Sequence, residues 1–343
     1  MIKDRVNFQV LILIVIVSVL LAISFYTPRR GWYKIETPLA PQATISAAIA
    51  YDSKSQKAIL FGGTNAVLVN NAWQQQWLNE TWEFNGNAWK KLSPANSPDS
   101  REKHMMAYDE SRNRIVLFGG TSNGSLFDDT WEWDGANWER IKPVHSPSAR
   151  CCHAMAYDSA RERVLLYGGW DGGKNIFYND VWLWDGNDWV QIESNTPDMS
   201  GHFLVDFPSN KEVISVQTAG FGTWAWNGDE FSDLGVESPP SRSEVRIVYD
   251  PQYDRAVMFG GILNSEEYLS DTWVFNGESW FQIYPPSGPS PRFGQVMFYD
   301  PTRNSIVLFG GQQADAPYYL NDTWELILPG SLSNWTTPLS TPR

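Results

Sequence analysis

An all-β, six-bladed β-propeller is the fold predicted by this 343-residue sequence, on three observations. An aromatic residue followed by Asp or Pro recurs at Tyr51, Tyr108, Tyr157, Phe207, Tyr249 and Tyr299, at intervals of 57, 49, 50, 42 and 50 residues. Eleven residues after five of the six comes a glycine pair: Gly62-Gly63, Gly119-Gly120, Gly168-Gly169, Gly260-Gly261 and Gly310-Gly311. All six copies then carry a tryptophan: Trp82, Trp131, Trp182, Trp224, Trp273 and Trp324. A period near 50 residues fits one four-stranded blade per copy.

Each copy reads as strands A to D. Strand A ends at the aromatic, and the acid after it opens a tight turn. Strand B is the β-branched run into Gly-Gly, where glycine tolerates positive φ and close backbone approach. Strand C carries the tryptophan. An Asn-Gly or Asp-Gly hairpin (Asn85-Gly86, Asp134-Gly135, Asp185-Gly186, Asn227-Gly228, Asn276-Gly277) then leads into strand D, with Trp89, Trp138, Trp189, Phe231 or Trp280 seven residues past the strand C tryptophan. The sixth copy lacks that hairpin, while Gly31-Trp32-Tyr33-Lys34-Ile35 looks like a strand D without a strand C. The N-terminal strand is therefore expected to close the last blade and remove an open sheet edge. Trp335, eleven residues after Trp324, is the weaker alternative.

These features set the domain organisation. Residues 1–27 hold an apolar run, Val10 to Tyr26, broken only by Ser18 and Ser24, which reads as an N-terminal hydrophobic helix: a membrane anchor through residues 10–26, or a cleaved signal segment. Residues 28–330 form the propeller and 331–343 a C-terminal tail. The expected location is a membrane-anchored propeller on the extracytoplasmic side, or a secreted one if the segment is cleaved.

Composition excludes some functions. A formal charge of −13 argues against nucleic acid. The two cysteines, Cys151 and Cys152, are adjacent and cannot staple distant parts of the fold. With only four histidines (His104, His145, His153, His202) and no second Cys/His pair, neither a metal site nor a catalytic residue set is expected, and no cofactor. His104 and His153 share the position four before the strand A aromatic, where the other copies place Ala47, Phe203, Val245 and Gln295; packing or hydrogen bonding is their expected role.

Tyr-Asp, the run into Gly-Gly, Asn321-Asp322-Thr323-Trp324 with Asp128-Asp129-Thr130-Trp131 beside it, and Trp133-Asp134-Gly135 resemble kelch repeats over nearly all the chain after residue 31. The resemblance implies the propeller fold of galactose oxidase and of kelch adaptor proteins, and in the adaptors a rim that binds acidic peptides or protein loops. It does not by itself fix a function.

Antiparallel strand order puts D-A and B-C loops on one face. Candidate ligand-binding residues there are the repeated arginines Arg101, Arg150, Arg242 and Arg292, seven before the strand A aromatic, with Trp73, Trp170 and Tyr318 in B-C loops. Guanidiniums bind carboxylates bidentately, and exposed aromatics suit sugar rings or protein hot spots. The competing expectation is that the arginines pair with loop acids. The expected function is recognition of a protein or glycan on this face. The alternative is a kelch-type enzyme, an oxidase, sugar epimerase or lyase, with its site at the channel mouth.

Overall fold

A computed structural model describes residues 29–69, 72–194, 196, 202–217 and 222–336. The hydrophobic run Val10 to Tyr26 lies outside them. Among the described residues no helix is long and apolar enough to cross a membrane.

The chain is a six-bladed all-β propeller. In order A to D, blade one comprises Ala48–Asp52, Lys57–Phe61, Thr81–Phe84 and Trp89–Lys91. Blade two is Met105–Asp109, Arg114–Phe118, Thr130–Trp133 and Trp138–Ile141, and blade three is Ala154–Asp158, Arg163–Asp171, Ile176–Trp184 and Trp189–Ile192. Blade four is His202–Phe207, Glu212–Gln217, Thr223–Trp226 and Phe231–Asp233, and blade five is Arg246–Asp250, Arg255–Phe259, Thr272–Phe275 and Trp280–Ile283. The sixth sheet holds Val296–Asp300, Ser305–Phe309 and Thr323–Ile327, with Gly31–Ile35 antiparallel to the last, Trp32 opposite Leu326. The A strands neighbour one another in a closed cycle around the axis.

Blade faces stack, so each B strand is apolar on both sides: Ile115, Val116, Leu117 and Phe118 are all buried. In four blades the strand D tryptophan lies on the residue before Gly-Gly of the preceding one. Trp89 meets Phe309 at 4.8 Å, Trp138 meets Phe61 at 5.4 Å, Trp189 meets Phe118 at 5.5 Å and Trp32 meets Phe259 at 5.0 Å between centroids. Four indole N–H groups also donate across the blade interface to a strand C threonine: Trp89 to Thr323, Trp138 to Thr81, Trp189 to Thr130 and Trp280 to Thr223, at 2.9–3.0 Å. At three of these joints (Trp89, Trp138 and Trp189) aromatic pairing and a satisfied buried donor occur together, whereas the Trp32 indole N–H has no partner.

Blade four corrects the sequence alignment. Phe207 pairs with Glu212 as Asp109 pairs with Arg114, so it holds the acid's place, and Asp206 holds the tyrosine's. The strand period of two explains the difference. Phe207 is buried, in contact with Tyr249 and Phe275, whereas Asp206 points to the channel. The same shift puts His202, rather than Phe203, in register with His104 and His153.

Candidate functional site: the D-A/B-C face and the channel

The four arginines predicted to meet a ligand do not present themselves to one. Arg101, Arg150, Arg242 and Arg292 are buried, 0–4% exposed, and each repeats a single arrangement. Arg101 grips Asp129 bidentately (Nη1–Oδ1 2.6 Å, Nη2–Oδ2 3.0 Å), and donates Nη1–H to the Gly119 carbonyl at 3.0 Å and Nε–H to the Asp99 carbonyl at 3.0 Å. Arg150 does the same with Asp180, Arg242 with Asp271 and Arg292 with Asp322. The indole of the strand C tryptophan two residues on donates to the same carboxylate, as Trp131 does to Asp129 at 2.7 Å. Phe127 and Tyr178 cover the guanidinium faces of Arg101 and Arg150, both at 4.0 Å. Buried and bonded to a carboxylate and backbone carbonyls, these arginines tie the D-A loop to the B and C strands. Burial works to raise the Asp129 and Asp322 carboxyls, but the arginine bonds and charges outweigh it and hold both below the usual carboxylate range. Blade one has Thr44 at the arginine position, and its acid, Glu80, turns to Trp82 and Lys91.

The three predicted aromatics differ among themselves. Trp73 is 62% exposed, on a hairpin of Thr64–Val69 and Ala72–Trp77 that rises above blade one. Glu102 of blade two anchors that hairpin, accepting bonds from Gln75 Nε2 (3.2 Å) and Trp77 Nε1 (3.1 Å), and burial pushes its carboxyl up. Tyr318 is 46% exposed in the B-C loop of blade six. Trp170 is half-buried, its ring stacked on exposed Phe177 at 6.3 Å and its backbone bonded both ways to Cys151. Among the described residues nine large apolar side chains are exposed. Five of them (Val67, Trp73, Ile176, Phe177, Tyr318) belong to B-C segments and two (Leu39, Val144) to D-A loops. Seven of nine therefore stand on one face.

On that face a backbone belt surrounds the channel mouth. Ser46, Lys103, Cys152, Glu244 and Gly294, all left-handed, take equivalent places five before the tyrosine column. Their amides link them: Ser46 N–H to Gly294 O, Lys103 to Ser46, Cys152 to Lys103 and Gly294 to Glu244, at 2.9–3.1 Å. Lys103 and Glu244, from blades two and five, pair at 3.8 Å. Burial alone would lower the Lys103 ammonium, but the negative groups around it, Glu244 first, raise it. The Cys151 and Cys152 sulfurs lie 3.0 Å apart as free thiols; the hydrogen bond between them lowers Cys151 and raises Cys152.

Beneath the belt, a cavity of about 120 Å³ is lined by Met105, Met106, Met155, Phe203, Arg246 and Met297, among others. Arg246 breaks an otherwise apolar layer, lies 5.7 Å from the Phe203 centroid, and is lowered by burial. Farther along, a vestibule of about 240 Å³ opens among Tyr51, Tyr108, Tyr157, Tyr249 and Asp206. His104 is buried, edge-on to Phe61 at 5.6 Å; burial, and after it the Arg101 charge, lower it well below the usual imidazole value. In the same column Gln295 of blade six donates Nε2–H to the Phe259 carbonyl of blade five at 2.8 Å and so joins the two blades. Among the described residues no His/Cys/Asp/Glu group is arranged to hold a metal ion.

Sequence reasoning missed Lys103, Glu244, Arg246 and Asp206. A signal was present: each is a charged residue in a column that other blades fill with small or apolar residues or with tyrosine.

Comparison with known proteins fits this geometry. A family model described as the KLHDC2/KLHL20/DRC7 Kelch-repeats domain matches residues 21–211. Dynein regulatory complex subunit 7 of Chlamydomonas reinhardtii is 25% identical over 144 residues, which are 41% of this chain and 12% of that protein. A solved structure titled "Structure of YjhT" superposes with a TM-score of 0.59 at 14% identity, covering 84% of this chain and 95% of the other. That likeness concerns the fold.

Proposed function

The chain belongs to the kelch-repeat family, and from that membership we propose that it is a recognition propeller that docks a protein through its D-A/B-C face. Kelch propellers generally serve as protein-binding scaffolds. The observation that carries the reading is the gathering, among the described residues, of seven of nine exposed large apolar side chains on that face, Trp73 and Phe177 among them. Exposed aromatics of this kind act as interface anchors. The four arginines contribute by fixing the loops that display them. A glycan is the second ligand class, on the strength of the Trp170 and Phe177 rings stacked at the surface.

Two further elements belong to this reading. The N-terminal strand closes the ring, supported by its pairing with Thr323–Ile327 and by Trp32 lying on Phe259. The hydrophobic run Val10 to Tyr26 tethers the propeller outside a membrane, supported by its composition alone. Replacing Trp73, Phe177 and Tyr318 together by serine tests the reading. Partner co-purification should be lost at unchanged melting temperature; retention of the same partners by the folded triple variant refutes it.

A further inference from the structure

At the A-B end of the channel, five blades place a tyrosine in the last axis-facing position of strand A: Tyr51, Tyr108, Tyr157, Tyr249 and Tyr299. Blade four places Asp206 there. Three of the phenols are committed to their own A-B turns: Tyr108 donates to Asn113 Oδ1 (3.3 Å), Tyr249 to Asp254 Oδ1 (2.6 Å) and Tyr299 to Asn304 Oδ1 (2.8 Å). Tyr157 accepts the Ser111 N–H at 3.2 Å. The Tyr51 hydroxyl is buried without a partner, because the turn residue five places on is Gln56 and supplies no bond. Asp206 accepts the Ser159 N–H at 3.4 Å, with the Ser159 side chain also acting on its carboxylate, and among the described residues no lysine, arginine or histidine forms an ion pair with it.

A carboxylate in this setting has an unmet need. Burial raises its carboxyl to about 6 against the lowering pull of the Ser159 hydrogen bonds, Asp158 and Glu110 add negative charge, and no nearby cation compensates. The charges on the adjoining elements are taken or distant. Asp158 is held by Arg161, Asp254 bonds Tyr249 and Ser209, Glu110 accepts Ser53, and Arg161 is spent on Asp158 and the Lys211 carbonyl. The vestibule therefore offers one negative charge, one unpartnered hydroxyl and a collar of aromatic rings in a space of about 240 Å³.

We propose that the vestibule bounded by Tyr51, Tyr108, Tyr157, Tyr249 and Asp206 binds a small organic ammonium ion. The carboxylate supplies charge, and the rings supply the diffuse attraction that aromatic faces have for alkylated cations. This site lies at the opposite end of the channel from the protein-docking face and does not depend on it.

Titrating the full chain with tetramethylammonium chloride, in a potassium chloride background that keeps ionic strength constant, tests the proposal. Saturable one-to-one binding is expected at pH 7.5. At pH 5 affinity should fall about tenfold, because a carboxyl near 6 is then only about a tenth ionised. Asp206→Asn should weaken binding at least tenfold at pH 7.5 and remove the pH dependence. Asp206→Tyr, which restores the repeat, should fold and not bind. Absence of saturable binding, equal affinity in Asp206→Asn, or displacement by potassium at matched concentration overturns the proposal.

Discussion

Arg101 and Asp129 meet inside blade two through two parallel bonds of 2.6 and 3.0 Å, with the guanidinium wholly buried. The same pair recurs in blades three, five and six. Removing one partner leaves a buried charge alone, so Asp129→Ala should destabilise by about 3–5 kcal/mol. Replacing both members by apolar residues should cost less. Denaturant titration of the two variants checks this. A loss below 1 kcal/mol in Asp129→Ala would mean that the pair is not structural.

The pairs also set an acid limit. Asp129 and Asp322 are depressed in the folded state, so their contribution is present above the unfolded carboxylate value of about 3.9 and lost as pH falls through their folded values below it. Asp206 acts in the opposite sense: a raised carboxyl penalises the folded state as pH climbs from about 4 to about 6. Stability measured against pH should rise slightly on acidification from 7 to 5 and then fall steeply below 4. In Asp206→Asn the first rise should shrink.

Blade three carries Val181 where the five other blades carry threonine (Thr81, Thr130, Thr223, Thr272 and Thr323), and blade four carries Phe231 where its neighbours carry tryptophan. Both sit in one core cluster, so the joint lacking the donor also lacks the acceptor. Val181→Thr alone buries an unpaired hydroxyl and should cost about 1–3 kcal/mol. Adding Phe231→Trp should recover part of that loss, with a coupling of about 0.5–3 kcal/mol in a double-mutant cycle. Strict additivity would remove the indole-to-threonine bond as the reason for the pairing.

A chain starting at Glu36 loses Trp32 from its place on Phe259 and a strand from the last blade. It should unfold or aggregate. Trp335 does pack beside the same cluster and its carbonyl accepts the Tyr284 N–H at 2.6 Å, but it forms no strand there. An unchanged thermal midpoint after truncation would assign closure to that tail.

The glycines of the C-D turns separate two causes. A Cβ on Gly228 would lie 2.0 Å from Arg161 Nε, while one on Gly135 meets nothing within 4 Å, although φ is positive at both. Gly228→Ala should therefore melt well below Gly135→Ala. Equal melting would show that backbone strain alone decides.

Much of this molecule was legible because it repeats. Six strand C tryptophans and five glycine pairs give blade number and strand order directly. The arginine and aspartate columns were equally visible, but only folding shows that residues about 28–30 apart in sequence face each other in a buried pair. Their regularity was itself the clue, since repetition in four blades marks architecture and a departure from the repeat marks a candidate for function. Blade four hid its departure because Asp206-Phe207 offers an aromatic one place from the expected one, and a one-residue slip on a strand exchanges channel for core. The exposed aromatics Trp73 and Tyr318 were legible as residues outside the repeat; the burial of Trp170 against Phe177 depended on how far the blade three hairpin extends.

Recognition through the D-A/B-C face is tested most directly by site-specific photo-crosslinking in the native membrane or secretion background. A photoreactive amino acid is placed at position 73, 177 or 318, and at 87 or 278 on the C-D turns of the opposite face. Crosslinks to one common partner protein from positions 73, 177 and 318, and none from 87 and 278, are the expected result. The same partner captured equally from both faces, or only from the C-D turns, would contradict it.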